Sequence, residues 1–447
     1  MHRLSPPSTR ARKGIDRMGR DLDVHIVQNP SHDFTRSPMP TALHPDLVVA
    51  LNRYDGDRIF IRLYGTAVPP SRHGDPCAVL NTRPAAVRAL ASRLRQRWKA
   101  EFVDARSSAE DMTLTADRHE FPYATQVDLS GEPEEELGPV LDELAVHGAY
   151  LLFGALLEGG EPPVTRVRQV LIDVLSRENL RIRFDSDVLF LPWSLLCLPE
   201  GASGGDGLDT HFGRFLGHRH QIEQTGGYYP DLPDARTPAP PLTSPSVSLN
   251  HDTEVDVLGL TKAAQVAALL AKDTSFRERR SRQALVDDIA AGRLNEQFMY
   301  FWCHGLFRTD GADSPFLVVR LSDGRDIDAQ TVLARCGADS GTVLRRHPLV
   351  LLNACYAGMP GSADLAHLGG ALIRVGAAGV LGPQIEMPQI FAAEYALTYV
   401  ERYLGGHQTA GAIAHDLARH FAGVHRNPLA LAYTLHGGMD SRLERVP

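Results

Sequence analysis

Short runs of apolar residues alternate with helical patterns through the second half of this chain. The runs are apolar at consecutive positions, and strands of that kind are buried on both faces. Such strands are typical of a mostly parallel sheet that helices cover on each side. We therefore predict an α/β fold, with its chemistry at the carboxyl ends of the strands. The predicted strands are 246–250, 297–303, 316–321, 348–353 and 379–382, and the predicted helices are 255–271, 282–291, 365–375, 390–403 and 409–421.

The first half of the chain carries a less regular mixture of patterns, followed by a connector rich in Gly, Ser and Pro. A length of ~150 residues per domain suggests two or three domains in 447 residues. We predict a tail at 1–44, an N-terminal α/β half at 45–240 that ends in the connector, and a second α/β domain at 241–447. In the N-terminal half, strands are predicted at 57–64, 180–184 and from 188 to a turn at Pro192, and helices at 84–101, 134–146, 149–157 and 166–176.

The chain is acidic overall but begins with a basic stretch. Its formal net charge is −8, whereas residues 1–20 carry six Arg or Lys side chains against Asp16. The tail is rich in Pro, Ser and Arg without an apolar period, which predicts disorder. A targeting peptide, a nucleic-acid arm and a terminus without a function all fit it. The acidity of the remaining chain makes a nucleic-acid partner unexpected.

The cysteine count and the apolar runs bear on the compartment. The five cysteines are an odd number without a C-x-x-C pair, which indicates neither a disulfide scaffold nor a zinc ribbon. Free thiols fit a reducing compartment, so we expect a cytoplasmic protein without a metal or cofactor. No apolar run approaches the ~18 residues of a membrane helix, and we expect neither a membrane span nor a secretory signal.

Two predicted strands end in residues that can carry chemistry. His304 and Gly305 follow the strand 297–303, and Cys355 follows the strand 348–353. An imidazole near a thiol favours the nucleophilic thiolate and can protonate a leaving amine. The backbone N–H groups of Gly305 and Cys355 would form an oxyanion hole, in which each donor contributes ~3–4 kcal/mol. The alternative is that this cysteine and histidine are ordinary packing residues, as we expect for Cys303, Cys197, Cys336 and Cys77.

Several motifs in order strengthen the first interpretation. The segments are Leu191-Pro-Trp-Ser-Leu-Leu, Phe301 to Gly305, Asn353-Ala-Cys-Tyr-Ala-Gly, Gly370 to Val380, and Asn427-Pro through Gly437. Together they resemble the CHAT family of caspase-like (clan CD) cysteine peptidases, the bacterial relatives of caspases and separase. The resemblance covers roughly residues 140–447.

This resemblance implies a caspase-like three-layer α/β/α sandwich, with residues 241–447 as its catalytic domain. It implies that His304 is the general base and acid, that Cys355 is the nucleophile, and that a peptide bond is attacked through a thioester. In family terms the chain would be a bacterial effector protease in immunity or programmed cell death, acting on a protein or peptide and activated by a partner or signal. The N-terminal half would be a degenerate caspase-like half with a regulatory surface.

The chain departs from the family pattern beside the proposed nucleophile. Asn353 stands where the family has Ser, at a position that lines the pocket for the residue before the cut. Glu386 lies near an acidic family position that pairs with a basic substrate side chain in separase-like relatives, although a solvated surface Glu is the plainer alternative. Asp364 is a weaker candidate for that pocket.

Two other functions remain open at this stage. A pseudopeptidase that acts as a scaffold or regulatory binding module would keep the fold without turnover, although both His304 and Cys355 are present. An unrelated α/β hydrolase is less well supported, because the chain lacks the G-x-S-x-G elbow. The stretch from Gly201 to Gly207 lacks the GK[ST] ending of a phosphate-binding loop.

Overall fold

A computed structural model describes residues 44–70, 72, 74–106, 121–201, 208–226, 242–308, 316–334, 344–358 and 368–443. The predicted disordered tail therefore lies almost entirely outside the described residues, as do Asp364 and Cys336. Residues from His44 onward belong to one compact unit.

The described residues form fourteen strands and eleven α-helices. The strands are β1 (Leu47–Tyr54), β2 (Arg58–Tyr64), β3 (Cys77–Leu80), β4 (Arg181–Ser186), β5 (Gln221–Thr225), β6 (Ser246–His251), β7 (Ser275–Arg279), β8 (Phe298–Trp302), β9 (His304–Arg308), β10 (Phe316–Arg320), β11 (Asp326–Ile327), β12 (Leu349–Asn353), β13 (Gly379–Pro383) and β14 (Tyr433–His436). The helices are α1 (Pro84–Phe102), α2 (Glu134–Ala149), α3 (Pro162–Leu175), α4 (Leu208–Gly213), α5 (Leu216–Arg219), α6 (Ala263–Ala271), α7 (Arg282–Ala290), α8 (Ala329–Leu333), α9 (Leu368–Arg374), α10 (Gln389–Gly405) and α11 (Ala410–His425).

One large sheet contains eleven of these strands in the order β3-β2-β1-β4-β5-β14-β13-β12-β8-β6-β7. Most neighbouring strands are parallel, and the antiparallel pairs are β3–β2, β2–β1 and β13–β14. The remaining strands, β9, β10 and β11, form a small antiparallel sheet. This architecture confirms the predicted α/β fold with a mostly parallel sheet.

The sheet separates two apolar cores. Along β8, the side chains of Phe298, Tyr300 and Trp302 belong to one core, whereas those of Met299 and Phe301 belong to the other. Helices α6, α10 and α11 contribute to the first core, and α7, α8 and α9 to the second. Successive side chains of a strand point to opposite faces of the sheet. Since an apolar core covers each face, every residue of β8 and β12 is buried. This is the three-layer arrangement that the apolar strands predicted.

Two predicted elements of the sequence analysis are wrong in their bounds or type. The helix predicted at 255–271 begins only at Ala263, because Gly259 has a φ of +63° and the Asp256 carboxylate accepts hydrogen bonds from the amides of Leu260 and Thr261. No strand forms from 188 to 191. The Ser186 hydroxyl accepts hydrogen bonds from the amides of Val188 and Leu189, which in a strand would bond to a neighbouring strand.

The helices predicted at 134–146 and 149–157 are one continuous element. Helix α2 passes without a break into a π-helical segment at Tyr150–Leu156. In the described part of the chain, Glu134–Leu156 is the one helix long and apolar enough to cross a membrane. Half of its most apolar window is buried within the protein, as in a core helix, so it is weak evidence for a membrane span.

The predicted boundary at residue 241 falls between β5 and β6. Strands from both sides of it belong to the same sheet, in which β5 pairs with β14. The three-segment division stays a prediction, but any N-terminal and C-terminal halves share a sheet and an apolar core.

Candidate active site

The two strand ends that carry His304 and Cys355 lie side by side. Strands β8 and β12 are parallel neighbours, and their register pairs Trp302 with Asn353. His304 and Cys355 each follow two residues after this pair. Both strands are buried along their whole length and run parallel in register, so both chains leave the sheet at the same end.

Gly305 brings the two chains into direct contact. A Cβ atom at this position would lie 2.1 Å from the carbonyl oxygen of Cys355 and 3.0 Å from its backbone nitrogen. Only glycine permits so close an approach. The backbones of the two proposed oxyanion-hole residues are therefore adjacent, although their role stays a prediction.

His304 and Cys355 line the same cavity, which has a volume of about 640 Å³. His304 is exposed, whereas the Cys355 side chain is half-buried. His304 is the first residue of β9, whose pairing with β10 sets it opposite Arg320. His304 thus stands at the junction between the large sheet and the small one, and Cys355 lines the same cavity.

The surroundings of Cys355 favour a protonated thiol in this state. Burial raises the pKa of the Cys355 thiol above its ordinary value, and the Glu386 carboxylate raises this pKa further. A hydrogen bond from the Met387 amide and the charge of Lys99 lower the same pKa. Helix α10 begins beside Met387, and its first residues line the cavity, so its dipole also favours negative charge there.

Comparison with known proteins identifies the family. The model of the CHAT domain matches residues 161–425, which is more than half of the chain. The chain belongs to the CHAT-domain family. This confirms the resemblance on which the sequence analysis drew.

Other comparisons give weaker likenesses. Two crystal structures of the Saccharomyces cerevisiae separase–securin complex, at 3.0 and 2.6 Å resolution, are similar to this chain with TM-scores of 0.44 and 0.46 and 11% sequence identity. Each similarity covers 88% of this chain but only 30% of the separase chain. No curated protein sequence matches the chain.

The residue after Cys355 is held in an uncommon conformation. Tyr356 has a φ of +60°, a left-handed conformation that a tyrosine adopts only when its surroundings enforce it. Its amide donates to the carbonyl of Ile385, and its ring lies 5.2 Å from that of Phe307 on β9. The turn after Cys355 is therefore fixed by both the histidine-bearing strand and the segment before α10.

Asn353, predicted to line the substrate pocket, does line the cavity, but its side-chain amide forms hydrogen bonds with buried groups of the protein. Its amide nitrogen donates to the carbonyl of Ala392 and the hydroxyl of Tyr300, and its oxygen accepts from Tyr433. This network attaches the end of β12 to α10 and β14. The structure thus gives Asn353 a part in holding the strand end that precedes Cys355, and its role towards substrate stays a prediction.

Glu386 also lines the cavity, and its carboxylate lies 3.4 Å from the ammonium group of Lys99 on α1. Lys99 forms a second ion pair with Asp104. The predicted acidic residue therefore stands at the proposed pocket with a cation beside it. Asp364, the other acidic candidate, lies outside the described residues.

The sequence analysis missed the wall of the cavity formed by residues 254–261. Val257, Leu258 and Leu260 in this wall are 71, 78 and 70% exposed. The amide of Asp252 donates to the carbonyl of Trp302, which joins the start of this loop to the end of β8. The apolar run at 255–260 was the available signal, but its helix-like spacing led to the wrong prediction of a helix.

The other described cysteines differ from Cys355. Cys303 and Cys197 are buried, and burial raises the pKa of each thiol far above its ordinary value. Cys303 belongs to a core and also lines the cavity wall, whereas Cys77 is exposed on the edge strand β3. Among the described residues, no three His, Cys, Asp or Glu side chains are grouped to hold a metal ion.

Proposed function

We propose that the chain is a cysteine endopeptidase in which His304 and Cys355 form the catalytic dyad. The observation that carries this proposal is the register of β8 and β12, which leaves a histidine and a cysteine at one edge of the sheet and in one cavity. Membership of the CHAT family, which resembles the caspase-like peptidases, supports it.

The mechanism follows from the groups at this edge. His304 takes the proton of the Cys355 thiol as sulfur attacks the carbonyl carbon of a peptide bond. The N–H groups of Gly305 and Cys355 stabilise the oxyanion. His304 then gives the proton to the leaving amine, and a thioester remains. Water, deprotonated by His304, hydrolyses the thioester, so that the enzyme recovers its thiol and the acid product leaves.

The raised pKa of the Cys355 thiol bears on activation. A protonated thiol is a poor nucleophile, so the dyad depends on proton transfer to His304 when the substrate is in place. An activating partner or signal that alters this environment would increase turnover. In family terms, we propose an activated bacterial effector protease in immunity or programmed cell death, which acts in the cytoplasm.

The cavity lining also supports a substrate class. Its carboxylates are Glu254, Asp256 and Glu386, and the cation described beside them is Lys99, which pairs with Glu386. A basic side chain before the scissile bond would complement this charge. The exposed aliphatic residues of the loop offer a contact for an apolar part of the same polypeptide.

A second candidate function, a pseudopeptidase scaffold, is favoured by the same burial of Cys355. If the thiol never ionises, the cavity would bind a polypeptide without cleaving it. The chain would then function by binding a polypeptide in this cavity.

Cleavage of a peptide library separates these functions. We expect turnover by the wild type and by Cys77→Ala, whose thiol is exposed on the outermost strand β3, and no turnover by Cys355→Ala or His304→Ala. Turnover that survives Cys355→Ala, or no turnover under any activating condition, contradicts the peptidase function.

Peptides with Arg or Asp before the scissile bond test the role of Glu386. We expect peptides with Arg to be cleaved faster, and we expect Glu386→Gln to reduce that preference.

A further inference from the structure

The segment at residues 384–387, here called the thiol loop, contacts the turn that contains Cys355. Met387 and Cys355 line the same cavity, and the Met387 backbone lowers the pKa of the Cys355 thiol. The Ile385 carbonyl accepts the amide of Tyr356 at 3.2 Å. The thiol loop therefore holds the backbone that follows Cys355, and a shift of this loop would move the turn that carries the thiol.

Helix α1 contacts the thiol loop through two cationic side chains one turn apart. The guanidinium of Arg95 donates to the Gln384 side-chain oxygen from Nε at 3.3 Å and from Nη2 at 3.2 Å. Lys99 reaches the Glu386 carboxylate at 3.4 Å. Residues four apart share a helix face, so α1 presents both cations to the same segment.

Arg95 is an unusual residue for this position. It is 6% exposed, and among the described residues it has no carboxylate within ion-pair distance. Its acceptors are the neutral oxygens of Gln384 and Phe190. Burial lowers the pKa of Arg95 to about 10, so it stays charged at neutral pH. A buried charge without a counter-ion costs stability, whereas its fork of donors fixes the direction of what it binds.

Helix α1 precedes the segment that matches the CHAT domain, which begins at residue 161. Val103, directly after α1, also lines the cavity with Cys355. The N-terminal segment thus reaches the candidate active site through the helix that holds the thiol loop.

We propose that α1 positions the thiol loop against Cys355, with Arg95 and Lys99 as positioning residues, so that the N-terminal segment sets the reactivity of the nucleophile. The proposal deepens the peptidase function and rests on it for its catalytic meaning. It concerns a chemical property of the thiol, however, which is measurable without turnover.

The two charges at this contact act on the thiol in opposite directions. Lys99 lowers the pKa of Cys355 and Glu386 raises it. Replacement of Lys99 by Met removes the cation and leaves the Glu386 charge unopposed, so the thiol pKa rises. Replacement of Glu386 by Gln removes the anion, so the thiol pKa falls. If the contact between α1 and the thiol loop had no effect on Cys355, the two replacements would not shift the thiol pKa in opposite directions.

The experiment measures alkylation of Cys355 by iodoacetamide as a function of pH, read by mass spectrometry of the peptide that contains it. Only the thiolate reacts, so the midpoint of the rate profile reports the thiol pKa. Exposed Cys77 in the same protein serves as the internal reference for the reagent. The other titratable groups of the cavity and its surroundings are unchanged in every variant; they are Cys303, His304, Tyr356, Tyr433, Glu254 and Asp256.

We expect Lys99→Met to slow alkylation at pH 7 by about threefold or more and Glu386→Gln to accelerate it by a similar factor. Arg95→Met frees Gln384, so the thiol loop shifts away from Cys355, the Met387 backbone lowers the thiol pKa less, and the midpoint moves to higher pH. Arg95→Lys, which keeps a charged donor, partly restores the midpoint. The matched control is Arg97→Met on the same helix, whose exposed ion pair with Glu143 is remote from the thiol loop and whose removal leaves the profile unchanged.

Unchanged profiles for Lys99→Met and Glu386→Gln in folded protein overturn the proposal, even if the wild type cleaves peptides. The same holds if Arg95→Met lowers thermal stability without a shift of the midpoint, since Arg95 would then be structural only. If no peptide is cleaved but the opposite shifts occur, the positioning role stands and the proposed peptidase function fails.

Discussion

At the scale of single residues, the candidate site depends on a glycine whose missing side chain permits a contact. Gly305 lies against the backbone of Cys355, where a Cβ would come within 2.1 Å of a carbonyl oxygen. A backbone oxygen cannot move aside as a flexible side chain can. The position of Gly305 therefore controls how closely the histidine-bearing chain approaches the cysteine.

Gly305→Ala is expected to separate these two chains and to reduce peptidase kcat/KM by about 100-fold or more, the usual cost of a misplaced oxyanion donor. Steady-state cleavage of a peptide found with the wild type measures the effect. Circular dichroism verifies that the fold persists.

Gly423→Ala is the matched control for that substitution. Gly423 lies in α11, and no atom is found within 4 Å of its Cβ position. Alanine is favoured over glycine in a helix by up to about 1 kcal/mol, so activity and fold should both persist. Wild-type activity in Gly305→Ala would mean that the contact with Cys355 has no catalytic importance.

The sequence pattern identified some residues of the candidate site and not others. His304, Gly305 and Cys355 were predicted because each follows an apolar strand, and parallel neighbours end at one edge. Arg95 and Lys99 were not, because their partners Gln384 and Glu386 lie almost 290 residues later in the chain, and no local pattern encodes that contact. The family resemblance suggested Glu386 as a pocket residue, with a solvated surface Glu as the alternative, but gave no sign of its cation.

At the scale of elements, the loop from 254 to 261 connects the candidate site with solvent. Its three aliphatic side chains are largely exposed although they line the cavity. Asp256 closes the loop by accepting hydrogen bonds from Leu260 and Thr261, so the wall has a defined shape. A bound polypeptide would remove these side chains from water.

Leu258→Ser is therefore expected to lower kcat/KM for polypeptide substrates about tenfold, since burial of a leucine contributes about 1.5–3 kcal/mol and about 1.4 kcal/mol corresponds to tenfold. The change should appear in KM more than in kcat, because the loop does not touch the reacting atoms. The comparison variant is Val424→Ser, at an exposed aliphatic residue on α11 that does not line the cavity. Equal kinetics for both variants would exclude the loop from substrate binding.

Strands with continuous apolar runs were the elements predicted best, because burial on both faces leaves a signal at each position. Strands β6, β8, β12 and β13 all formed close to their predicted bounds. The loop at 254–261 and the segment at 188–191 were mistaken for regular elements because both are apolar. Their backbones are satisfied by side chains of Asp256 and Ser186, which hydrophobic periodicity cannot reveal.

At the scale of the whole molecule, the N-terminal and C-terminal parts are joined through the centre of the sheet. The Gly437 amide donates to the carbonyl of Gln224 on β5, and the Met439 amide donates to the buried carboxylate of Glu223. One apolar core contains residues from β1 to β4 as well as from β8, α10 and α11. Neither part would retain its core without the other.

Residues 44–443 are therefore expected to unfold as one cooperative unit. The three tryptophans serve as local reporters, because Trp98 and Trp193 lie in the N-terminal part and Trp302 in the C-terminal part, and all are buried. Trp302→Phe leaves the first pair, and the double variant Trp98→Phe/Trp193→Phe leaves Trp302. In each variant, the midpoint of urea unfolding by fluorescence should equal the midpoint by far-ultraviolet circular dichroism. If fluorescence of the Trp302 reporter changes at a different urea concentration from the circular dichroism, the parts unfold separately, and the boundary predicted at residue 241 divides two independent domains.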